Sequence, residues 1–236
     1  MNIRIFVILL FGCSVYFLNG QSLTANELIK RSLEVHDPKG EWEAFKDNLL
    51  IAQTRPDGKA SERRIHLNNK KNHFSFSAKY PEGELKYVVD KKGARYSWNG
   101  ATRITEDLKK KYRVSDERAN MYHNYYTYLY GMPMKLSDPG AQMSPVVETV
   151  KFKDETYLRV KVNYDPEVGD DVWYFYFNPN NYELELYQFF HDESKNDGEY
   201  ILLDGWKHFG QLKLPEKLQW YYNKDDVFLG EDRLIK

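Results

Sequence analysis

Apolar and polar residues alternate along most of this 236-residue chain, and turn residues interrupt the alternation at the spacing of β-hairpins. In HFSFSAKY, for example, Phe74 and Phe76 point to one face of a strand, while Ser75 and Ser77 point to the other. The connections are too short for parallel crossovers, which indicates antiparallel strands. We count about eleven such segments: LLIAQT, ERRIHL, HFSFSAKY, ELKYVVD, ARYSW, VVETVKF, YLRVKVNY, VWYFYF, YELELYQFF, EYILLDGW and KLQWYY.

Two parts of the chain have helical patterns instead. Thr24 and Glu27 form a capping box, and the helix that they begin should end near His36. Residues 105–129 contain no strand-breaking turn signal and keep helical spacing, which predicts one or two helices that end at a Gly131 C-cap. Because an antiparallel sheet must cover one apolar face, we predict a mainly β (α+β) fold. It would be a strongly curved antiparallel sheet or half-barrel of about eleven strands, with the N-terminal helix and the central helical insertion packed on its concave face.

The beginning of the chain has the layout of a secretory signal peptide. Arg4 precedes an apolar run over residues 5–18, and small and polar residues follow. The run is short for a bilayer span, which needs roughly 20 residues, so we expect cleavage after Gly20 and no stable transmembrane span after processing. Residues 1–20 are therefore predicted to be a signal peptide, and residues 21–236 a single domain that is periplasmic or associated with the outer envelope. An uncleaved amphipathic anchor is the alternative.

Cys13 is the only cysteine in the chain. Its surroundings, LFGCS, raise the alternative of a lipoprotein in which this cysteine becomes the acylated first residue. Phe11 is bulky for such a site, and the apolar run continues beyond the cysteine, so we favour an ordinary signal peptide. Cleavage after Gly20 would leave no cysteine, and therefore no disulfide and no thiol chemistry.

The ionisable residues carry little evidence for chemistry. The 34 Lys and Arg residues are balanced by 35 Asp and Glu residues, which gives no electrostatic case for nucleic-acid binding. The six histidines form no compact metal-ligand pair, and no nucleotide-binding or nucleophile motif occurs. We therefore predict no metal, no cofactor and no catalytic residue. Glu183 and Glu185 share one face of a predicted strand, which leaves open an enzyme with a carboxylate pair, although the solvent face of a strand is the simpler interpretation.

Aromatic residues are abundant, with 19 Tyr, 13 Phe and 5 Trp. Both faces of VWYFYF, residues 172–177, carry large rings, which is expected if both sides of the sheet are covered or if one side lines a cavity. The rings therefore either fill a core between the sheet and the helices or line a hydrophobic ligand cavity. The candidate cavity residues are Phe74, Phe76, Trp98, Tyr122, Tyr125, Trp173, Phe175 and Trp220.

Four segments carry a family resemblance: HDPKGEW at 36–42, YGMPMKLSDPG at 130–140, DDVWYFYFNPNNYELELYQF at 170–189 and LPEKLQWYYNKDDVFLGED at 214–232. They resemble a secreted bacterial family of unknown function, which is similar in layout to the periplasmic lipoprotein-sorting carrier (LolA/LolB-like) superfamily of Gram-negative bacteria. The resemblance implies a half-barrel that holds lipid chains under a helical lid. The lid would include Tyr122, Tyr125, Tyr126 and Tyr128. The resemblance also implies an arginine inside the barrel, which the sequence alone does not place among Arg63, Arg95, Arg103 and Arg159.

The first functional hypothesis is a non-enzymatic periplasmic carrier or binder of a lipid, lipoprotein or other hydrophobic ligand. We expect a monomer whose partners are a hydrophobic ligand or lipidated protein and envelope proteins. One alternative is a secreted enzyme that acts on a carbohydrate or an ester, which predicts a polar cavity with a strongly raised carboxylate pKa. Another is a surface module that binds a protein or glycan, which predicts exposed, flat aromatic patches.

Overall fold

The computed structural model describes residues 23–167 and 169–236. The signal peptide predicted over residues 1–20, including Cys13 and the expected cleavage after Gly20, lies outside the described residues. The described part contains three α-helices, four short 3₁₀ helices and thirteen β-strands. None of these helices is long and apolar enough to cross a membrane.

The elements follow the predicted order, with one α-helix before the first five strands and two α-helices after them. The α-helices are α1 (Ala25–His36), α2 (Glu106–Tyr112) and α3 (Asp116–Tyr130). The first five strands are β1 (Lys46–Thr54), β2 (Ala60–Asn68), β3 (His73–Tyr80), β4 (Gly83–Asp90) and β5 (Gly93–Trp98). The other strands are β6 (Ala141–Met143), β7 (Glu148–Phe152), β8 (Glu155–Tyr164), β9 (Val172–Phe177), β10 (Leu184–Phe190), β11 (Glu199–Phe209), β12 (Leu212–Tyr222) and β13 (Phe228–Leu234).

The strands form one antiparallel sheet in the order β5-β4-β3-β2-β1-β13-β12-β11-β10-β9-β8-β6, and β7 pairs with β8 outside this path. The eleven predicted strands are all present, and β6 and β13 are additional. β13 lies between β1 and β12, where Leu234 pairs with Ile51 and Arg233 pairs with Lys217. This strand therefore joins the two halves of the sheet.

The contacts of α3 show that the sheet is strongly curved. The ring of Tyr126 in α3 lies 6.4 Å from that of Phe74 in β3, and the ring of Tyr128 lies 5.0 Å from that of Trp173 in β9. β3 and β9 are seven positions apart in the sheet, which would be roughly 34 Å in a flat sheet at about 4.8 Å per strand. A helix with its side chains is only about 10–12 Å across. The sheet must therefore wrap around α3, which confirms the predicted half-barrel with the central helices on its concave face.

Large rings on both faces of β9 are explained by two apolar clusters, one on each face of the strand. Phe175 and Phe177 point into the concave face and belong to the main core with α1 and α3. Tyr174 and Tyr176 point outward, into a second apolar cluster that also contains Leu186 and Tyr200. The β7–β8 hairpin covers this outer cluster, and the ring of its Phe152 lies 5.5 Å from the ring of Tyr176.

α1 begins and ends as predicted. Its capping box is formed, with the Thr24 hydroxyl accepting the Glu27 N–H at 3.3 Å and the Glu27 carboxylate accepting the Thr24 N–H at 2.9 Å. At the other end His36 is fully buried, and its Nε2 accepts the backbone N–H of Leu184 at 3.0 Å. Burial, with a smaller contribution from Lys213, lowers the pKa of His36 to about 3. The imidazole is therefore neutral and fixes the start of β10 to the end of α1.

Candidate functional site

The concave side of the half-barrel contains a cavity of about 830 Å³. α3 borders the cavity, and strand ends surround it on both sides. The end of β2 and the start of β3 lie on one side, together with the 3₁₀ helices Trp42–Ala44 and Asn69–Lys71. The ends of β8, β10 and β12 and the starts of β9 and β11 lie on the other. The register places the end of β2 beside the start of β1, whereas the end of β12 lies beside the start of β13, at the edge where β1 ends. The cavity therefore forms where the curved sheet brings two opposite edges together, and we call it the mouth of the half-barrel.

Aromatic rings form much of the cavity wall. Tyr125 stacks on Trp220 with ring centroids 5.7 Å apart, and Tyr128 meets Trp173 edge-on at 5.0 Å. Such rings offer a large apolar surface, and their hydroxyl and indole N–H groups supply polar ends. The aromatic residues of the wall are Trp42, Tyr125, Tyr128, Tyr164, Trp173, Phe189 and Trp220.

The charged part of the wall is mainly acidic, with five carboxylates and one lysine. The lysine, Lys135, forms an ion pair with Asp138. Asp171 lies 2.6 Å from Nδ1 of His191, and this hydrogen bond raises the pKa of His191. Burial raises the pKa of Glu199. The carboxylates are those of Glu43, Asp138, Glu167, Asp171 and Glu199.

Tyrosine hydroxyls hold α3 against the sheet beside the cavity. The Tyr128 hydroxyl donates to the Tyr164 hydroxyl of β8 at 2.9 Å. The Tyr187 hydroxyl of β10 donates to the backbone carbonyl of Leu129 at 3.1 Å. This carbonyl lies in the last turn of α3, where helical carbonyls have no intrahelical partner. The rings thus pack in the core while their hydroxyls satisfy polar groups of the helix and the sheet.

Arg63 lies inside the half-barrel under α3, and it is the one of the four candidate arginines that contacts the predicted lid tyrosines from the sheet. Its guanidinium donates to the Tyr126 hydroxyl at 2.7 Å and to the side-chain carbonyl of Gln53. The Gln53 amide donates to the Asp232 carboxylate at 3.0 Å, and the Tyr125 hydroxyl donates to its other oxygen at 3.2 Å. Asp232 is only 1% exposed. Burial raises the pKa of this carboxyl, and the positive charge of Arg63 opposes that rise.

The segment HDPKGEW positions the wall residue Trp42. The Asp37 carboxylate accepts the N–H of Glu41 at 2.6 Å and the N–H of Trp42 at 3.0 Å, at the start of the 3₁₀ helix. Gly40 makes the preceding turn with φ +66°, a conformation that favours glycine. The Glu41 carboxylate then accepts two backbone N–H groups of the β11–β12 turn, at 2.8 and 3.1 Å. These contacts fix Trp42 to the rim of the mouth.

The segment YGMPMKLSDPG brings Gly131 directly against Trp42. Gly131 ends α3 as predicted, but with φ −86°, which any residue can adopt. Glycine is needed here for close approach, because an added Cβ would lie 2.6 Å from Cζ2 of Trp42 and 2.4 Å from the Thr127 carbonyl oxygen. Two segments that are distant in the sequence therefore meet at the cavity wall.

Three of the eight cavity residues predicted from the sequence line this cavity: Tyr125, Trp173 and Trp220. Phe76 stacks on Tyr122 with ring centroids 4.2 Å apart, beneath α3 but away from the mouth. Trp98 packs against Tyr112 of α2 at 4.8 Å. Phe74 and Phe175 are fully buried in the main core.

Several lining residues were not predicted, among them Trp42, Asp171, Phe189 and Glu199. They lie at strand ends or in short turns, where the alternation of residues is weak. One signal was available for Glu199, because it precedes Ile201 by two residues on β11 and therefore shares the inward face of the strand.

Glu183 and Glu185 do not line the cavity. Glu183 forms an ion pair with Lys213 at 3.0 Å, and Glu185 accepts a hydrogen bond from Asn178 at 2.9 Å. Within residues 23–167 and 169–236, no group of three or more His, Cys, Asp or Glu side chains is arranged to hold a metal ion.

A family model described as "Family of unknown function (DUF6503)" matches residues 3–236. The chain belongs to this family. The expectation of a family of unknown function is thus confirmed, and the family is DUF6503. No curated protein matches the DUF6503 chain.

Solved structures show which fold this DUF6503 chain has. It is similar to a LolA-superfamily protein from Nitrosomonas europaea, with a TM-score of 0.52 and 13% identity over 91% of this chain and 95% of the other. It also matches a domain described as an outer membrane lipoprotein-sorting protein from Vibrio parahaemolyticus, with a TM-score of 0.46 and 6% identity over 88% and 92%. The first similarity confirms the predicted resemblance to the lipoprotein-sorting carrier superfamily at the level of the fold.

Proposed function

We propose that this DUF6503 protein is a non-enzymatic carrier or binder that holds a lipid, a lipidated protein or another hydrophobic ligand in the mouth of the half-barrel. α3 is the helical cover of the ligand. The protein acts in the periplasm or at the outer envelope after removal of residues 1–20, as one domain over residues 21–236. It is a monomer without a transmembrane span, and Cys13 offers the alternative of a lipid anchor.

The cavity is the observation that carries this proposal. Its volume of about 830 Å³ lies in the upper part of the range of ligand pockets, about 300–1,000 Å³. Seven aromatic residues line it, and polar groups lie among them. A concave, largely aromatic wall with a few polar groups is typical of sites that bury a ligand with a substantial apolar part.

The LolA-superfamily fold supports the same function. The superfamily is that of lipoprotein-sorting carriers, and in this chain the half-barrel with α3 beside it leaves a cavity that could hold such a ligand. Because a fold alone does not establish an activity, the proposal depends on the cavity of this chain.

The carboxylates of the cavity favour one alternative, a secreted hydrolase that acts on a sugar or an ester. Glu199 has a raised pKa, and Asp171 is hydrogen-bonded to a histidine, which are features that acid–base catalysis uses. Incubation of the purified protein with glycoside and ester substrates would support this alternative if product forms and Glu199→Gln abolishes its formation.

The proposal is tested by native mass spectrometry of the protein purified without detergent from its own envelope fraction. Asn124 is exposed and lines the cavity, whereas Asn120, one turn earlier on α3, is exposed and outside the lining. Asn124→Trp should therefore fill part of the mouth, and Asn120→Trp is its matched control. We expect a lipid or acylated peptide at fixed stoichiometry on the wild type and on Asn120→Trp, and a much lower occupancy on Asn124→Trp.

The proposal would be overturned if the purified wild-type protein contains no bound lipid or acylated peptide and shows no saturable uptake of fatty-acid or phospholipid probes. Equal occupancy of the two tryptophan variants would place the ligand outside this cavity.

A further inference from the structure

The charge of the cavity wall has a consequence for the ligand. Five carboxylates line the cavity, and the positive charge of Lys135 is taken up by Asp138. Of the two histidines in the wall, His123 adds little positive charge, because burial and the nearby Lys135 lower its pKa. The wall therefore carries a net negative charge around an aromatic interior.

Glu199 is the carboxylate set most directly among the rings. It starts β11 and is half-buried, with Phe189 of β10 as its register partner. Trp220 pairs with Ile201, two residues further along the same inward face. Among the described residues Glu199 forms no ion pair, although the nearby His191 imidazole opposes the burial that raises the pKa of its carboxyl. A carboxylate that is partly removed from water without a direct ion-pair partner is costly, and a cation in contact with it offsets this cost.

The rings beside Glu199 are suited to the same kind of charge. Trp173 stacks on Phe189 with centroids 4.8 Å apart, and Trp220 stacks on Tyr125. Tryptophan faces attract cations more strongly than the other aromatic side chains do. A carboxylate among tryptophan and tyrosine rings is the arrangement that recognises organic ammonium groups.

We infer that the ligand is a cationic amphiphile, with an ammonium group that pairs with Glu199 and an apolar body that packs against the aromatic wall. This inference rests on the proposed function and specifies the head group of its ligand. An anionic head group would be repelled by the five carboxylates, and a neutral one would leave Glu199 without a direct ion-pair partner.

The test compares three amphiphiles with the same ten-carbon chain: decyltrimethylammonium and decyl sulfate below their micelle concentrations, and decanol below its solubility limit. Binding to the processed protein is measured by isothermal titration calorimetry. We expect decyltrimethylammonium to bind at least about tenfold more tightly than decyl sulfate, and this preference should shrink at high salt. Glu199→Gln should weaken binding of the cation about tenfold and leave decanol binding unchanged.

Glu62→Gln is the matched control, because Glu62 is exposed on β2 and does not line the cavity. It removes the same charge and should leave all three affinities unchanged. Thermal unfolding shows whether each variant is folded. If Glu199→Gln does not fold, the salt dependence of the wild-type preference for decyltrimethylammonium still tests the inference.

The possible outcomes separate this inference from the proposed function. Equal affinities for all three amphiphiles, with no effect of Glu199→Gln or salt, would overturn the cationic head group and leave the hydrophobic binder standing. Absence of binding by all three would count against the proposed function itself.

Discussion

Gly131 and Trp42 are in van der Waals contact across the cavity wall, so closely that a Cβ at position 131 would lie 2.6 Å from Cζ2 of the indole. The contact joins the end of α3 to the 3₁₀ helix Trp42–Ala44. It explains why a glycine ends α3 although the backbone there needs no left-handed conformation.

Gly131→Ala should destabilise the protein by about 1–3 kcal/mol, because the methyl group overlaps the indole and the Thr127 carbonyl. Urea unfolding followed by tryptophan fluorescence measures the change. Gly169→Ala is the control, since a Cβ there meets no atom within 4 Å. Equal free energies of unfolding for the two variants would mean that Trp42 and the end of α3 move to accommodate the methyl group without loss of stability.

Arg63→Met should destabilise the protein by about 3–5 kcal/mol, because it leaves Asp232 buried without the nearby positive charge. The double variant with Asp232→Asn should lose less than the sum of the two single variants, since neither charge then remains alone. Arg64→Met is the control, because Arg64 is half exposed and should cost less than about 0.5 kcal/mol. Additive losses in urea unfolding would show that the two charges do not interact.

Acid should weaken the protein through His36. Its pKa is about 3 in the folded state and 6.5 as the ordinary value, so the unfolded chain takes up a proton between these values while the folded chain does not. Stability is complete above about pH 6.5 and falls as the pH decreases towards 3, by on the order of 4 kcal/mol.

His36→Gln should remove most of this pH dependence, since a glutamine oxygen can still accept the Leu184 N–H and does not titrate. Urea unfolding at several pH values, with the exposed His208→Gln as control, measures the difference. The prediction is wrong if the wild type and His36→Gln lose stability in parallel below pH 6.5.

Asp37→Ala should cost about 2–4 kcal/mol, because it leaves the N–H groups of Glu41 and Trp42 without their acceptor. Asp37→Asn keeps one acceptor oxygen and should cost roughly half as much. Thermal unfolding gives the ranking, and a red shift of tryptophan emission would show that Trp42 becomes more exposed in Asp37→Ala. Equal losses in both variants would contradict this role for the carboxylate.

The hairpins and the helical insertion could be predicted because alternation and capping are local signals. β13 could not, since its inward positions include Gly230 and Asp232 rather than apolar residues. Both are explained only by the folded structure. A Cβ at Gly230 would lie 2.9 Å from the Thr54 carbonyl oxygen, and Asp232 belongs to the network of Arg63. The alternation of apolar residues along the sequence cannot reveal the close approach of Gly230 to Thr54 or the hydrogen bond of Asp232.

The tyrosines of α3 were predicted as lid residues, but their separate contacts could not be. Tyr126 meets Phe74 on one side of the half-barrel, and Tyr128 meets Trp173 on the other. A helix that is enclosed on several sides has no single apolar stripe. The cavity carboxylates could not be predicted either, because the strand ends and turns that carry them come together only when the sheet curves.

The place of β13 in the sheet bears on the order in which the protein can assemble. The strand comes last among the described strands, yet it alone bridges β1 and β12. The hairpins of β1–β5 and those of β8–β12 can each form early during synthesis. The two halves of the sheet can join only after residues 228–234 have been synthesised. Pairings between distant parts of a chain slow folding. The joining of the two halves of the sheet is therefore expected to be a late and slow step of folding.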